Sequence, residues 1–287
     1  MTKARRRFYR SPLFFLGIWA ALNLGLFYPE IKQAIVHYQT VWRGERDVRP
    51  YQIRFQPMIG RFSIPSDSFE GVDEALPYLF FEPPVSDKTE RLPLLVLLHG
   101  AGDRMDVVSK QNRLLKDYFT KDEFQSKHPC YLLGPVCPTV TNWGGRQNPA
   151  ISDTVIEIIQ ECLNTYPIDE ARIYLAGHSM GAYGCFEWLA KYPDTFAAAM
   201  PVAGGGNPND AQAMAKTPMW VIHGDADDRI LPQQSIEMVE AIRAAGGTAK
   251  LTLIEGIGHD SWKHLMLHPN GELGWLFSQS RVQNDHK

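Results

Sequence analysis

From about residue 51 onward the spacing of apolar positions changes period again and again, marking out strands and helices in alternation. Residues 92–100, LPLLVLLHG, form a continuous apolar run closed by glycine, the pattern of a strand buried on both faces. CYLLGPVCP (130–138) is a weaker run of the same kind. ISDTVIEIIQECLNTYP then switches to helical spacing: Val155, Ile158, Ile159 and Cys162 share a face, and Ser152 or Asp153 is placed to cap the start. RIYLAGHS reads as a strand and MGAYGCFEWLAKYP as a helix that Pro193 ends. FAAAMPVAGG, PMWVIHGD and KLTLIEG complete the strand set. SIEMVEAIRAAGG is a helix with Gly246 at its C-cap, and GELGWLFSQ a short last helix. Ahead of these, QIRF and RFSIP suggest an opening antiparallel strand, with PYLFFEP as its neighbour. Strands alternating with helices predict an α/β fold built on a doubly wound, mainly parallel sheet. Reactive residues then belong on loops beyond the carboxyl ends of the strands.

The first fifty residues break this pattern. Lys3, Arg5, Arg6, Arg7 and Arg10 precede an uncharged run, residues 11–29, of roughly the length that spans a hydrocarbon core as a helix. No good small-x-small cleavage site follows the apolar part, because Trp19 sits where a small residue is needed before Ala20-Ala21. The expectation is a retained signal anchor; a cleaved signal peptide and a buried soluble helix are the alternatives. The basic cluster keeps the tail in the cytoplasm and sends the rest across the membrane. The expected organisation is a basic tail (1–10), a transmembrane anchor (11–29), a juxtamembrane connector (30–50) and the α/β domain (51–287) on the extracytoplasmic side, or secreted if the leader is cleaved.

Composition adds exclusions. With 44% hydrophobic and 21% charged residues the chain is ordinary globular protein, not a disordered one. A formal net charge of −3 gives no electrostatic support for nucleic-acid binding. Cys130, Cys137, Cys162 and Cys185 have neither CxxC nor zinc-type spacing and are expected as small buried hydrophobes. An extracytoplasmic domain leaves a disulfide open, Cys130 or Cys137 with Cys162 being the pairs to check.

Chemistry concentrates at the strand ends. Gly177-His178-Ser179-Met180-Gly181 stands between a strand and a helix, the setting in which a sharp turn exposes a serine and flanking side chains would clash. Ser179 is therefore the candidate nucleophile, and Met180 N–H faces developing oxyanion charge. A serine hydroxyl needs a base. His259, in the small-residue loop GIGHDSW after a strand, is placed to supply it. Among Asp225, Asp227 and Asp228, also just past a strand, Asp227 is chosen to hold the imidazole, Asp228 being second and Asp225 better suited to fixing the loop. His99-Gly100-Ala101-Gly102 offers Ala101 N–H as a second oxyanion donor. His99 and His223 read as packed loop histidines, and His178 as a structural residue pointing away along the chain. His264 and His268 have a metal-capable spacing without a third ligand, so no metal is expected. Trp143 and Trp262 are candidate walls of the substrate pocket, although Trp262 could equally pack beneath the His259 loop.

The stretch from about Arg91 to Trp275 resembles the polyhydroxybutyrate-depolymerase-like and predicted-peptidase group of serine esterases, within the dienelactone-hydrolase-like α/β-hydrolases. The matching signatures are LLVLLHGAGD, GPVCP followed by NW, PIDEARIYLAGHSMGAYG, FAAAMPVAGGG, WVIHGDADDRILP and LIEGIGHDSW. The resemblance implies an acid four residues after the histidine of the HG turn, at Asp227, and the base at His259. It departs from the group at Ala182, where a second glycine is usual. The expected function is a cofactor-independent serine hydrolase acting on small to medium carboxylic esters through an acyl-enzyme. Cleavage of short peptides and a membrane-tethered lysophospholipase activity are the alternatives.

Overall fold

Eight strands hydrogen-bond into one sheet: β1 (Ile53–Pro57), β2 (Pro77–Phe81), β3 (Leu92–Leu98), β4 (Tyr131–Pro135), β5 (Ile168–His178), β6 (Ala198–Val202), β7 (Met219–Gly224) and β8 (Ala249–Ile254). Their spatial order is β1-β2-β4-β3-β5-β6-β7-β8. β2 runs antiparallel to both β1 and β4, and every pairing from β4 to β8 is parallel. The computed structural model describes residues 53–57, 76–85, 87, 89–101, 118–137, 142–143, 149–267 and 271–281. The basic tail, the apolar run 11–29 and the connector 30–50 lie outside the described residues, as do the RFSIP segment, Gly102 and His268.

Among the described residues the α-helices are α1 (Asp122–Gln125), α2 (Pro149–Thr165), α3 (Met180–Lys191), α4 (Ala211–Met214), α5 (Pro232–Ala244), α6 (Trp262–Leu267) and α7 (Glu272–Phe277). Alternate residues of each strand feed two separate cores. Leu92, Leu94, Val96 and Leu98 of β3, with Ile173 and Leu175 of β5, pack under α2, α3 and α5 through Val155, Ile158, Phe186, Trp188, Val239 and Ile242. Leu95 and Leu97, with Tyr174 and Ala176, face Phe124, Trp262, Leu273 and Leu276 on α1, α6 and α7. Every residue of β3 is buried. A strand covered on both faces has no use for polar positions, which is why its sequence reads as an unbroken apolar run.

Three boundaries differ from the sequence reading. α2 begins at Pro149, so Ser152 and Asp153 lie inside it and bond to Lys191 and Tyr192 rather than capping. Proline is tolerated in a first turn, where its missing N–H has no partner to lose. β5 begins at Ile168, four residues before RIYLAGHS; Asp169 and Glu170 at its head hid it, and its register against β3 shifts between Leu92 and Leu94. α5 starts with Pro232 behind Leu231 and ends before Gly246, whose φ of 83° lets the chain turn out of the helix.

Candidate active site

Four loops at the carboxyl ends of β3, β5, β7 and β8 carry His99, Ser179, Asp227 and His259 respectively. Ser179 joins β5 directly to α3 with φ 57° and ψ −117°, a strained backbone for a residue with a side chain. Its amide donates to Val202 O on the neighbouring strand, at 2.9 Å, and its carbonyl accepts from the N–H groups of Ala182 and Tyr183. The flanking glycines are required by contact. A methyl on Gly177 would stand 2.4 Å from Gly181 O, and one on Gly181 would stand 2.0 Å from Leu98 O. The buried Ala182 is accommodated because Gly204 opposite it has no side chain: a methyl there would be 2.4 Å from Ala182 Cβ.

The elbow and the two remaining loops meet. Ser179 Oγ lies 2.9 Å from His259 Nε2, and His259 Nδ1 lies 2.7 Å from Asp227 Oδ2. Asp227 Oδ1 accepts from the N–H groups of Arg229 (2.9 Å) and Ile230 (3.1 Å), so the carboxylate is clamped at both oxygens. Burial would raise the Asp227 carboxyl. The hydrogen bond from His259, the two backbone N–H groups and the His259 charge outweigh it and hold the group below the ordinary carboxylate value. Asp228 and Asp225 are exposed, and Asp225 accepts from Gly256 N–H, tying the β7 and β8 loops together.

The loop of the candidate oxyanion donor is pinned from below. Cys137 N–H donates to His99 Nε2 (2.9 Å), which leaves the hydrogen on Nδ1 to donate to Gly100 O (2.8 Å). In a trans peptide the N–H points opposite to the C=O, so holding Gly100 O toward His99 turns Ala101 N–H the other way. A Cβ on Gly100 would be 3.6 Å from Ser179 Cβ, which puts this peptide beside the candidate nucleophile.

One aromatic assignment and one histidine change, and a second aromatic left open is placed. Trp143, expected as a pocket wall, is fully buried; its indole N–H donates to His99 O at 2.6 Å and its Cβ occupies the space left by Gly184. An indole carries one donor that must be satisfied when buried, and the carbonyl under the oxyanion loop satisfies it. Trp262 is 9% exposed and stacks on the His178 ring, centroids 6.4 Å apart, so it backs the site rather than walling a pocket. His178 does not point away along the chain: its Nε2–H donates to His259 O at 2.8 Å, and the two rings are 4.9 Å apart. Burial lowers the basicity of His178; the bond to that carbonyl pushes the other way, and the net direction is down. The position beside the serine was the one signal for this role.

All four cysteines are free and buried, so neither suggested disulfide forms. Burial pushes the Cys130 and Cys162 thiols up to about 12. Among the described residues no three His, Cys, Asp or Glu side chains converge to hold a metal ion, and His264 lies 3.6 Å from Glu272.

The model of the esterase PHB depolymerase family matches residues 76–244, more than half of the chain. The chain belongs to that family. A bifunctional acetylxylan esterase/xylanase of Neocallimastix patriciarum is 31% identical over 145 residues, covering 50% of this chain and 20% of the relative. A solved thermostable esterase superposes with a TM-score of 0.68 at 32% identity, covering 79% of this chain and 63% of the other. This chain thus spans a fifth of the first relative and under two thirds of the second. A ferulic acid esterase (TM-score 0.54, 17% identity, 79% and 98% coverage) shares the fold. With the sheet order above, these neighbours make it an α/β-hydrolase fold.

Proposed function

We propose that this chain is a serine hydrolase of carboxylic esters, with Ser179 as nucleophile, His259 as general base and acid, and Asp227 as the group that orients the imidazole. The observation that carries the reading is the line of contacts from Ser179 Oγ through His259 to Asp227, at 2.9 and 2.7 Å, on loops from three different strands. His259 takes the serine proton as Oγ attacks the ester carbonyl, and the negative charge forms against the amides of Ala101 and Met180. The helix that begins at Met180 adds its positive end to the same place. Collapse of the tetrahedral adduct expels the alcohol, which leaves with the proton held by His259. Water then attacks the acyl-serine by the same route and releases the acid.

Family membership favours an ester as the bond cleaved. Esters are also the easier substrate for this machinery, since the ester carbonyl is more electrophilic than an amide's and an unprotonated amide nitrogen is the poorer leaving group. Fluorophosphonate labelling beside Ser179→Ala tests the nucleophile, and matched p-nitrophenyl ester and anilide pairs test the bond. Labelling of the wild type, none of Ser179→Ala, and faster ester turnover are expected. A folded wild type that neither labels nor cleaves esters refutes the reading.

A further inference from the structure

His223, the penultimate residue of β7, is a fully buried histidine that the proposed chemistry does not use. Its Nε2 faces two acceptors, Ile230 O at 2.9 Å and Asp227 Oδ2 at 3.2 Å. A nitrogen facing two acceptors must carry a hydrogen, so Nε2–H donates into the same carboxylate oxygen that His259 engages from the other side. The other ring nitrogen, Nδ1, stands 2.7 Å from the hydroxyl of Ser235, itself completely buried in α5. That hydroxyl also lies 2.7 Å from Gly204 O, so its single hydrogen has two acceptors to serve, Nδ1 and the carbonyl.

Gly204 leads directly to the nucleophile. A methyl built on it would stand 2.4 Å from Ala182 Cβ and 3.2 Å from Ser179 O, so its backbone rests against the back of the elbow. The residue before it, Ala203, has φ 54° and donates its N–H to Ile222 O beside His223. Asp227, His223, Ser235 and Gly204 thus form a buried line of polar contacts, each within hydrogen-bonding distance of the next, that runs from the acid, beneath the site, to the rear of the serine turn.

We propose that His223 and Ser235 are positioning residues that fix the Asp227 carboxylate and the Ser179 elbow relative to each other. The proposal rests on the triad reading above. The two loops arrive from different strands, β5 and β7, with β6 between them. Without a tie beneath the site their separation would be set by apolar packing, which has no directional preference. Hydrogen bonds between groups that are wholly out of water are directional and costly to leave unmade, and so suited to this task.

The test compares wild type, His223→Leu, His223→Gln, Ser235→Ala and Ser179→Ala in full-length protein, with melting temperature, kcat and KM on p-nitrophenyl acetate, and fluorophosphonate labelling rate. Glutamine can place an amide N–H where Nε2–H lies; leucine cannot. Misplacement of a catalytic group by an ångström can cost on the order of 100-fold, so His223→Leu is expected to lose roughly 10- to 100-fold in kcat with KM changed little. Labelling should slow in parallel, Ser235→Ala should fall between leucine and wild type, and His223→Gln should recover most of the loss. A purely structural role would lower the melting temperature and leave kcat of the folded protein unmoved. If His223→Leu does not fold, the glutamine and Ser235→Ala variants carry the comparison. A kcat within about 3-fold of wild type for folded His223→Leu, or for Ser235→Ala when that is the surviving variant, overturns the proposal, as does glutamine performing no better than leucine. An unlabelled wild type, or an active Ser179→Ala, is the failure of the triad reading itself.

Discussion

Replacing Asp227 by asparagine separates the orientation of the His259 ring from the size of the group that holds it. In the native site Oδ1 accepts from two backbone N–H groups, while Oδ2 faces the two histidines. An asparagine must keep its carbonyl oxygen where Oδ1 was, because turning it round would set the NH2 against the amides of Arg229 and Ile230. The NH2 therefore faces His259 Nδ1, which must now accept, and the ring hydrogen moves to Nε2. That hydrogen points at Ser179 Oγ, 2.9 Å away, and the ring can no longer take the hydroxyl proton. The expected loss in kcat of Asp227→Asn is roughly 10⁴-fold, the size found where a triad carboxylate is made an amide and the tautomer reverses. One buried donor-to-donor contact, at His223, should cost about 1–3 kcal/mol of stability. For a domain of this size that lowers the melting temperature by about 2–4 °C per kcal/mol. Initial rates on p-nitrophenyl acetate with parallel melting curves check both figures, with the exposed Asp228→Asn as the unchanged control. An Asp227→Asn protein that melts cooperatively yet keeps more than roughly a tenth of the wild-type kcat would show that Asp227 does not set the tautomer.

Three further outcomes are expected. Because His178 in the folded chain lies below the ordinary histidine value of about 6.5, the unfolded chain binds more protons between the two values, and stability is lost as pH falls from about 6.5 toward the folded one. His178→Gln, which can keep the N–H but does not titrate, should flatten the fall in melting temperature between pH 7 and pH 5; equal slopes would refute the assignment. Trp143→Phe keeps most of the packing but removes the donor to His99 O, so kcat should drop several-fold through the oxyanion loop while stability falls by about 1 kcal/mol; unchanged kcat in the folded protein would sever that link. Native protein should resist thiol reagents at all four cysteines until denatured, and fast native labelling of any of them would contradict their burial.

Much of this was written in local pattern. β3 and β5 were legible because strands buried on both faces carry few polar residues, and the GxSxG turn because two glycines are forced by backbone approach within 2.4 Å. The expected order of serine, aspartate and histidine corresponds to loops that meet in space. What escaped was set by partners distant in the chain. Nothing near Trp143 in sequence announces that Gly184 leaves room for it or that His99 offers it an acceptor. By contrast Asp227, chosen from the sequence within the run DADD, is turned by near neighbours: the N–H groups of Arg229 and Ile230 converge on its Oδ1. His178 was misjudged because its acceptor, the carbonyl of His259, arrives from a loop after β8.

Ala182 and Gly204 occupy, between them, a volume with room for one methyl group. Sequence drift at either position is therefore conditional on the other: Gly204→Ala alone should overpack the elbow by about 1–3 kcal/mol, whereas pairing it with Ala182→Gly should restore the fit. A lineage could pass from one arrangement to the other most safely through two glycines, at the cost of a looser turn behind the serine. With glycine at both 182 and 204 either methyl can be gained, but not both.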